Sequence, residues 1–307
     1  MADIHFSPDG SKLAYDVYCY EWDWKAHLII QDVATGSSHE LTPPGKSDRS
    51  PQWSPTGHEI AFLSDRDGKT QVYVAATDGS AAVAVTATRY GVSRFHWSPD
   101  GKAIAYLAMS DDAPASDSGP QVADRETNLA RLWVVDLTSK AVHRVGITGY
   151  RVRDFQWRTT SEILVSATDK PRVEEFTNAV YSVSINDGTP RLVSSPPQPF
   201  DNLMVSPDGT QFAVRSTLAR GPISRDLLVG TIGRDGLRKI PEPRDLAIGG
   251  ARWEHPSKIA ALAIDGFINR IRILSPTVAH VDLGRSIEGA RGKCGRPCGR
   301  NVEGVHG

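Results

Sequence analysis

Two stretches of the sequence contain residue types that could bind a metal ion. The stretch SDRDG carries Asp65 and Asp67, but a calcium ion usually needs six or more oxygen ligands, so these aspartates are interpreted as turn residues. Cys294, Cys298 and His306 offer three zinc ligands without a convincing fourth. The nine histidines show no metal-ligand spacing. We therefore predict no metal site and no cofactor.

A short motif of an aromatic residue followed by Ser-Pro-Asp-Gly recurs along the chain. It reads HFSPDG, QWSPTG, HWSPDG and MVSPDG in four copies, and QWRTTS and RWEHPS in two degraded copies. The anchor residues that precede the turn are separated by 47, 44, 60, 48 and 48 residues. They are Phe6, Trp53, Trp97, Trp157, Val205 and Trp253. Such a period indicates a repeat architecture with one insertion.

The turn itself has a physical explanation. Proline presets φ at the first corner, aspartate can bond its own backbone, and glycine accepts a positive φ at the exit. The prolines are Pro8, Pro55, Pro99 and Pro207, and the glycines are Gly10, Gly57, Gly101 and Gly209. We assign these residues and the anchors structural roles in the repeat. His5 and His96, which precede two anchors, are also expected to be structural.

Each turn is followed by β-rich runs such as AIAYLA and LWVVDLTSK, which predicts four short strands in each repeat. Four-stranded units of this length are typical of a β-propeller, in which each blade packs against the next. We predict an all-β propeller of about six four-stranded blades, or an incomplete seven, over residues 1–283. The blades are predicted to begin near residues 4, 51, 94, 154, 202 and 250, with a loop insertion over 109–131 in the third blade.

Composition restricts the function classes. The formal net charge of −1 gives no long-range attraction to nucleic acid or anionic membranes, and no apolar run is long enough for a membrane-spanning helix. The N-terminus does not resemble a secretory signal. We predict a cytoplasmic protein, or a periplasmic one if the true N-terminus lies upstream.

Residues 284–307 differ in kind from the repeats. Glycine and arginine dominate this segment and the apolar alternation stops at about Leu283. The segment is predicted to be an irregular tail, either disordered or the product of a shifted reading frame or a truncated gene.

The repeats WSPDGKAIAYLA, FLSDRDGKTQVYV and LWVVDLTSK resemble the propeller of the prolyl oligopeptidase family of serine peptidases, in particular its acylaminoacyl-peptidase and dipeptidyl-peptidase branch. They are also similar to the propeller of TolB-type proteins. The resemblance covers residues 4–283. For the peptidases it implies a propeller that restricts access of peptide substrates to a C-terminal α/β-hydrolase domain, whose serine lies in a Gly-x-Ser-x-Gly turn.

This sequence contains no Gly-x-Ser-x-Gly, so no catalytic residue is assigned and the chain alone is predicted to be inactive. The resemblance also implies a role for Glu174 and Glu175, since dipeptidyl peptidases hold a substrate's α-amine with paired glutamates. A solvated acidic loop is the other interpretation of this pair. The alternative function is a stand-alone TolB-like propeller that binds a partner protein, and a third is a propeller enzyme such as a lactonase.

Overall fold

The computed structural model describes residues 4–19, 25–78, 80, 82–109, 130–147, 149–169, 178–196, 199–217, 225–240, 247–265 and 268–276. Glu174 and Glu175, most of the predicted 109–131 insertion, Cys294, Cys298 and the tail over 284–307 lie outside these residues. Within them, no helix is long and apolar enough to cross a membrane.

The described residues form six antiparallel sheets in which neighbouring strands follow one another along the chain. The first three sheets consist of β1 (Ile4–Phe6), β2 (Lys12–Cys19), β3 (Lys25–Asp32), β4 (Ser38–Glu40); β5 (Asp48–Trp53), β6 (Glu59–Ser64), β7 (Gln71–Ala76), β8 (Val83–Ala84); and β9 (Val92–Trp97), β10 (Ala103–Met109), β11 (Ala130–Asp136), β12 (Val142–Arg144). The other three consist of β13 (Arg151–Trp157), β14 (Glu162–Thr168), β15 (Ala179–Ser184), β16 (Pro190–Ser194); β17 (Phe200–Val205), β18 (Gln211–Thr217), β19 (Arg225–Thr231), β20 (Leu237–Lys239); and β21 (Ala247–His255), β22 (Lys258–Asp265), β23 (Ile268–Leu274).

Each sheet is one blade, and the predicted all-β propeller of six blades is confirmed. Five blades have four strands, and the sixth has three strands within the described part of the chain. The sheets begin at residues 4, 48, 92, 151, 200 and 247, beside the predicted blade starts. The first strand of every blade faces the centre of the ring, so β1, β5, β9, β13, β17 and β21 together line a channel.

The core is divided among the blade boundaries. Five apolar clusters each join residues of two consecutive blades, as expected for units that can bury their faces only against a neighbour. In the first cluster, Leu28 and Ile30 of blade one pack with Trp53 and Phe62 of blade two. All four tryptophan anchors are buried, whereas Phe6 of blade one is 45% exposed.

The turns after the anchors are held by their serine, whose role the sequence reasoning did not identify. Ser98 is buried, its hydroxyl donates to Asp100 at 2.7 Å, and it accepts the backbone N–H of Ala103 at 2.9 Å. Ser7, Ser54 and Ser206 also accept the N–H five residues ahead. The serine therefore closes these four turns onto the next strand.

Candidate functional site

The central channel is the feature of the ring to which every blade contributes. The residue directly before each anchor lies on its wall, because side chains alternate along a strand and the anchor is buried between blades. The cavity has a volume of about 410 Å³. The six residues at this position are His5, Gln52, His96, Gln156, Met204 and Arg252. They form a ring that is polar except at Met204.

A second layer of channel residues lies three positions before the anchors. Arg94, Asp154 and Asn202 line the main cavity, and Ser50 lines an adjoining cavity of about 320 Å³. The innermost strands of blades two to six all contain a register shift close to this layer. Ser50 and Asn202 both have a φ of 55°. Such β-bulges redirect side chains, which explains how this layer reaches the channel.

The two channel histidines are held in the neutral form. Burial, followed by the nearby charge of Arg252, lowers the pKa of His5 to about 4. Burial, followed by the charge of Arg94, lowers the pKa of His96 to about 3. A neutral His96 ring can accept a hydrogen bond from the amide of Gln156, whose Nε2 lies 3.3 Å from His96 Nε2. At pH 7 the histidines thus contribute hydrogen-bonding groups and no charge.

Asp154 contributes a carboxylate to the channel wall, and both of its oxygens have partners. Its Oδ1 accepts from Arg94 at 2.5 Å and from the N–H of Phe155 at 2.8 Å. Its Oδ2 accepts from the N–H of Leu203 at 3.0 Å. Burial raises the pKa of Asp154, and Arg94 and the two backbone amides oppose that shift. Asp154 therefore joins blades three, four and five at the channel.

Hydrogen-bond donors of blades five and six are less fully paired. The ion pair of Arg252 is to Glu254, with Nε 3.9 Å from Oε1 and both side chains about half exposed. Asn202 Nδ2 and Trp253 Nε1 are buried and have no hydrogen-bond partner among the described residues. The oxygens of Asp154 are already engaged by Arg94 and two backbone amides, so they do not satisfy these donors.

The anchors tie the blades together through their indoles. The Nε1 atoms of Trp53, Trp97 and Trp157 each donate at 3.1 Å to the backbone carbonyl of a channel residue in the preceding blade. The sequence reasoning expected apolar contacts from these residues and did not foresee the hydrogen bonds. It also did not identify the channel ring, although the column before the anchors, read as His, Gln, His, Gln, Met and Arg, contained that signal.

Among the residues that the structure describes, no group of three or more His, Cys, Asp or Glu side chains is placed to hold a metal ion. The amine-binding role predicted for Glu174 and Glu175 stays a prediction, because both lie outside the described residues.

Comparison with known proteins identifies a family model that matches part of the repeat region. Residues 3–118 match the model described as the TolB β-propeller domain. This part of the chain is therefore similar to a TolB-type propeller. Over 121 residues it is 34% identical to the uncharacterized peptidase YuxL of Bacillus subtilis, covering 38% of this chain and 18% of that protein. Over 207 residues it is 24% identical to dipeptidyl-peptidase 5 of Porphyromonas gingivalis, covering 64% of this chain and 27% of that protein.

A solved structure agrees with the fold. The acylaminoacyl peptidase of Pyrococcus horikoshii is similar with a TM-score of 0.62 at 15% identity, over 88% of this chain and 44% of that one. The described part of this chain thus shares its propeller fold with a solved peptidase structure. The chain spans less than a third of the length of these two curated relatives.

Proposed function

We propose that this propeller controls substrate access in a serine peptidase of the prolyl oligopeptidase type. The observation that carries the proposal is a narrow, polar channel, lined by all six blades, in a chain that is similar to two curated peptidases. The nucleophilic serine would belong to an α/β-hydrolase domain, and the propeller would decide which substrates reach it.

The dimensions of the channel support selection by size. A folded domain of 100 residues has a radius of gyration of about 13 Å, which is far too large for a cavity of about 410 Å³. A short peptide could enter and exchange its hydrogen bonds with water for bonds to Gln52, Gln156 and the neutral histidines. The polar wall would therefore lower the cost of desolvating the peptide backbone.

The experiment that tests this proposal is a chimaera. Residues 1–283 replace the matching propeller of the Bacillus subtilis relative, and hydrolysis of a chromogenic aminoacyl peptide is compared with digestion of an unfolded protein. We expect the chimaera to cleave the short peptide and to digest the unfolded protein at least about tenfold more slowly than the relative's catalytic part alone. Equal digestion by the two would contradict the proposal. The 307-residue chain by itself should show no serine-inhibitor-sensitive hydrolysis.

Recognition of a substrate N-terminus by Glu174 and Glu175 is part of this proposal. Two carboxylates can hold one ammonium group by charge-assisted hydrogen bonds. In the chimaera, Glu174→Gln with Glu175→Gln should raise KM for a peptide with a free α-amine and leave KM for its N-acetylated form unchanged. An equal change for both peptides would exclude amine recognition.

A second candidate function is a TolB-like interaction propeller, which the family match over residues 3–118 favours. In this case the channel or one face of the ring would bind a partner protein. A stoichiometric complex with an envelope protein, together with a chimaera that does not discriminate by substrate size, would favour this function over the first.

A further inference from the structure

We infer that the channel contains a carboxylate-binding site for a peptide, formed by Arg94, Asn202, Arg252 and Trp253. All four residues line the cavity of about 410 Å³. The inference rests on the proposed function in taking a peptide as the ligand. It adds which chemical group of that peptide the channel recognises and which residues bind that group.

Three hydrogen-bond donors of the cavity are unpaired or weakly paired. Asn202 Nδ2 and Trp253 Nε1 are buried without a hydrogen-bond partner among the described residues. Leaving a buried donor unsatisfied costs about 1–3 kcal/mol, so an acceptor supplied by a ligand would recover free energy at both atoms. Arg252 adds a guanidinium that is about half exposed and has only a long contact of 3.9 Å to Glu254.

The charge of the cavity wall favours an anionic ligand. Its titratable residues are Arg94, Arg252, Asp154, His5 and His96. The histidines are neutral at pH 7, since burial and the nearby arginines lower the pKa of both. Asp154 is bound to Arg94 and to two backbone amides, so its charge is compensated within the wall. The second guanidinium, that of Arg252, leaves the cavity with an excess of positive charge.

The geometry of the donors favours a carboxylate as the anion. A carboxylate is planar and has two oxygens that match the paired N–H groups of a guanidinium, with acceptor capacity left for an amide or an indole N–H. The bulge at Asn202, where φ is 55°, brings that amide to the same cavity as Arg252. Leu203 and Met204 also line the cavity and can contact the apolar part of a peptide.

The binding experiment uses the full 307-residue chain, because a binding measurement does not require a catalytic domain. Isothermal titration calorimetry compares N-acetyl-trialanine with a free carboxylate, its C-terminal amide, N-acetyl-Ala-Glu-Ala amide, and inorganic phosphate. We expect the free acid to bind at least about tenfold more tightly than the amide and its affinity to fall with added salt. If the glutamate peptide binds as well as the free acid, the site binds either kind of carboxylate; if it binds more weakly, the site is selective for a peptide C-terminus.

Binding by three variants tests which residues form the site. Arg252→Gln should weaken binding of the free acid about tenfold. Asn202→Gly, which keeps the backbone conformation accessible, should weaken it about threefold. Arg144→Gln, on the exposed outermost strand β12 of blade three, is the matched control and should bind like the unaltered chain.

Three results would overturn the inference: equal binding of acid and amide, an unchanged affinity in Arg252→Gln, or phosphate binding as tightly as the acid. Thermal unfolding of each variant separates loss of binding from loss of fold. The chimaera assay is independent, because a propeller can select substrates by size without binding a carboxylate. If the binding measurement fails and the chimaera still selects substrates by size, the carboxylate site is excluded and the proposed gating stands.

Discussion

The first three blade boundaries and the last two are crossed by different hydrogen bonds. From blade one to blade four, each boundary has an anchor indole that donates at 3.1 Å to a carbonyl of the preceding blade. These donors are Trp53, Trp97 and Trp157, all of them buried. The bonds are neutral and lie against apolar clusters, so salt and pH should have little effect on them.

Blades four, five and six are joined mainly through arginines. Arg158 Nε donates to the carbonyl of Gly209 at 2.9 Å, and Arg215 donates to the carbonyl of Gly249. Blade five has Val205 at the anchor position and so has no indole. In blade six, Trp253 Nε1 is buried without a partner among the described residues.

The comparison shows that a repeat can lose one of its repeated contacts and keep its architecture. The apolar clusters at the last two boundaries are present, while arginine side chains make the hydrogen bonds that anchor indoles make at the first three boundaries. Asp154 lies where the two kinds of boundary meet, because it binds Arg94 of blade three and the backbone of blade five. Substitutions at matched positions can test the difference.

The largest effect is expected at Asp154. Asp154→Ala leaves the buried N–H of Leu203 without its acceptor and the half-exposed Arg94 without its partner, and leaving these groups unsatisfied costs about 3 kcal/mol. Urea unfolding should show this loss. Glu162→Gln, which removes a half-buried ion pair within blade four and keeps the bond from Arg158 to Gly209, is the comparison and should cost less than about 1 kcal/mol. Equal losses would mean that Asp154 does not join the two regions.

The next effect concerns two turn glycines with the same backbone conformation. Gly10 and Gly209 have φ values of 71° and 68°, but a Cβ added at Gly10 would meet nothing within 4 Å, whereas one at Gly209 would lie 2.9 Å from the carbonyl oxygen of Arg158. Gly10→Ala should therefore cost about 1 kcal/mol from the backbone alone, and Gly209→Ala about 2 kcal/mol. Equal free energies of unfolding would show that blades four and five do not approach closely at this turn.

A smaller effect distinguishes the indoles. Trp97→Phe removes the hydrogen bond to the carbonyl of Gln52 and should cost about 1 kcal/mol beyond the loss of ring size. Trp253→Phe removes an indole N–H that has no partner among the described residues, so its cost should be the smaller of the two. Chemical denaturation of both variants measures the difference. A larger loss in Trp253→Phe would contradict the contrast between the boundaries.

The smallest expected effect is the change of folding stability with pH that is caused by His96 in the channel. The pKa of His96 is lower in the folded chain than in the unfolded chain, so the unfolded chain binds more protons as the pH falls below about 6.5 and stability decreases. Between pH 7 and pH 6 this amounts to about 0.7 kcal/mol for one histidine. His96→Gln, which keeps a hydrogen-bond acceptor, should reduce the slope of stability with pH. An unchanged slope would show that His96 is not buried in its neutral form.

The repeat motif was sufficient to predict the blades, and particular residues show why the site was not predicted. Trp53 and Trp97 are large, periodic and next to turn residues, so burial between blades follows from the pattern. Arg94 and Asp154 are sixty residues apart, and their contact depends on register shifts in β9 and β13 that no local pattern encodes. The ring of residues before the anchors could have been identified from the aligned repeats, because those residues occupy one column.

The proposed gating requires that substrates reach the catalytic serine through the channel. The most direct test narrows the channel in the chimaera with Gln52→Trp, using His39→Trp on the exposed strand β4 as the matched control. Gln52→Trp should lower the rate of cleavage of a ten-residue peptide at least about tenfold relative to a dipeptide substrate, while His39→Trp leaves that ratio unchanged. An unchanged ratio in a folded Gln52→Trp chimaera would show that substrates enter by another route and would contradict the account.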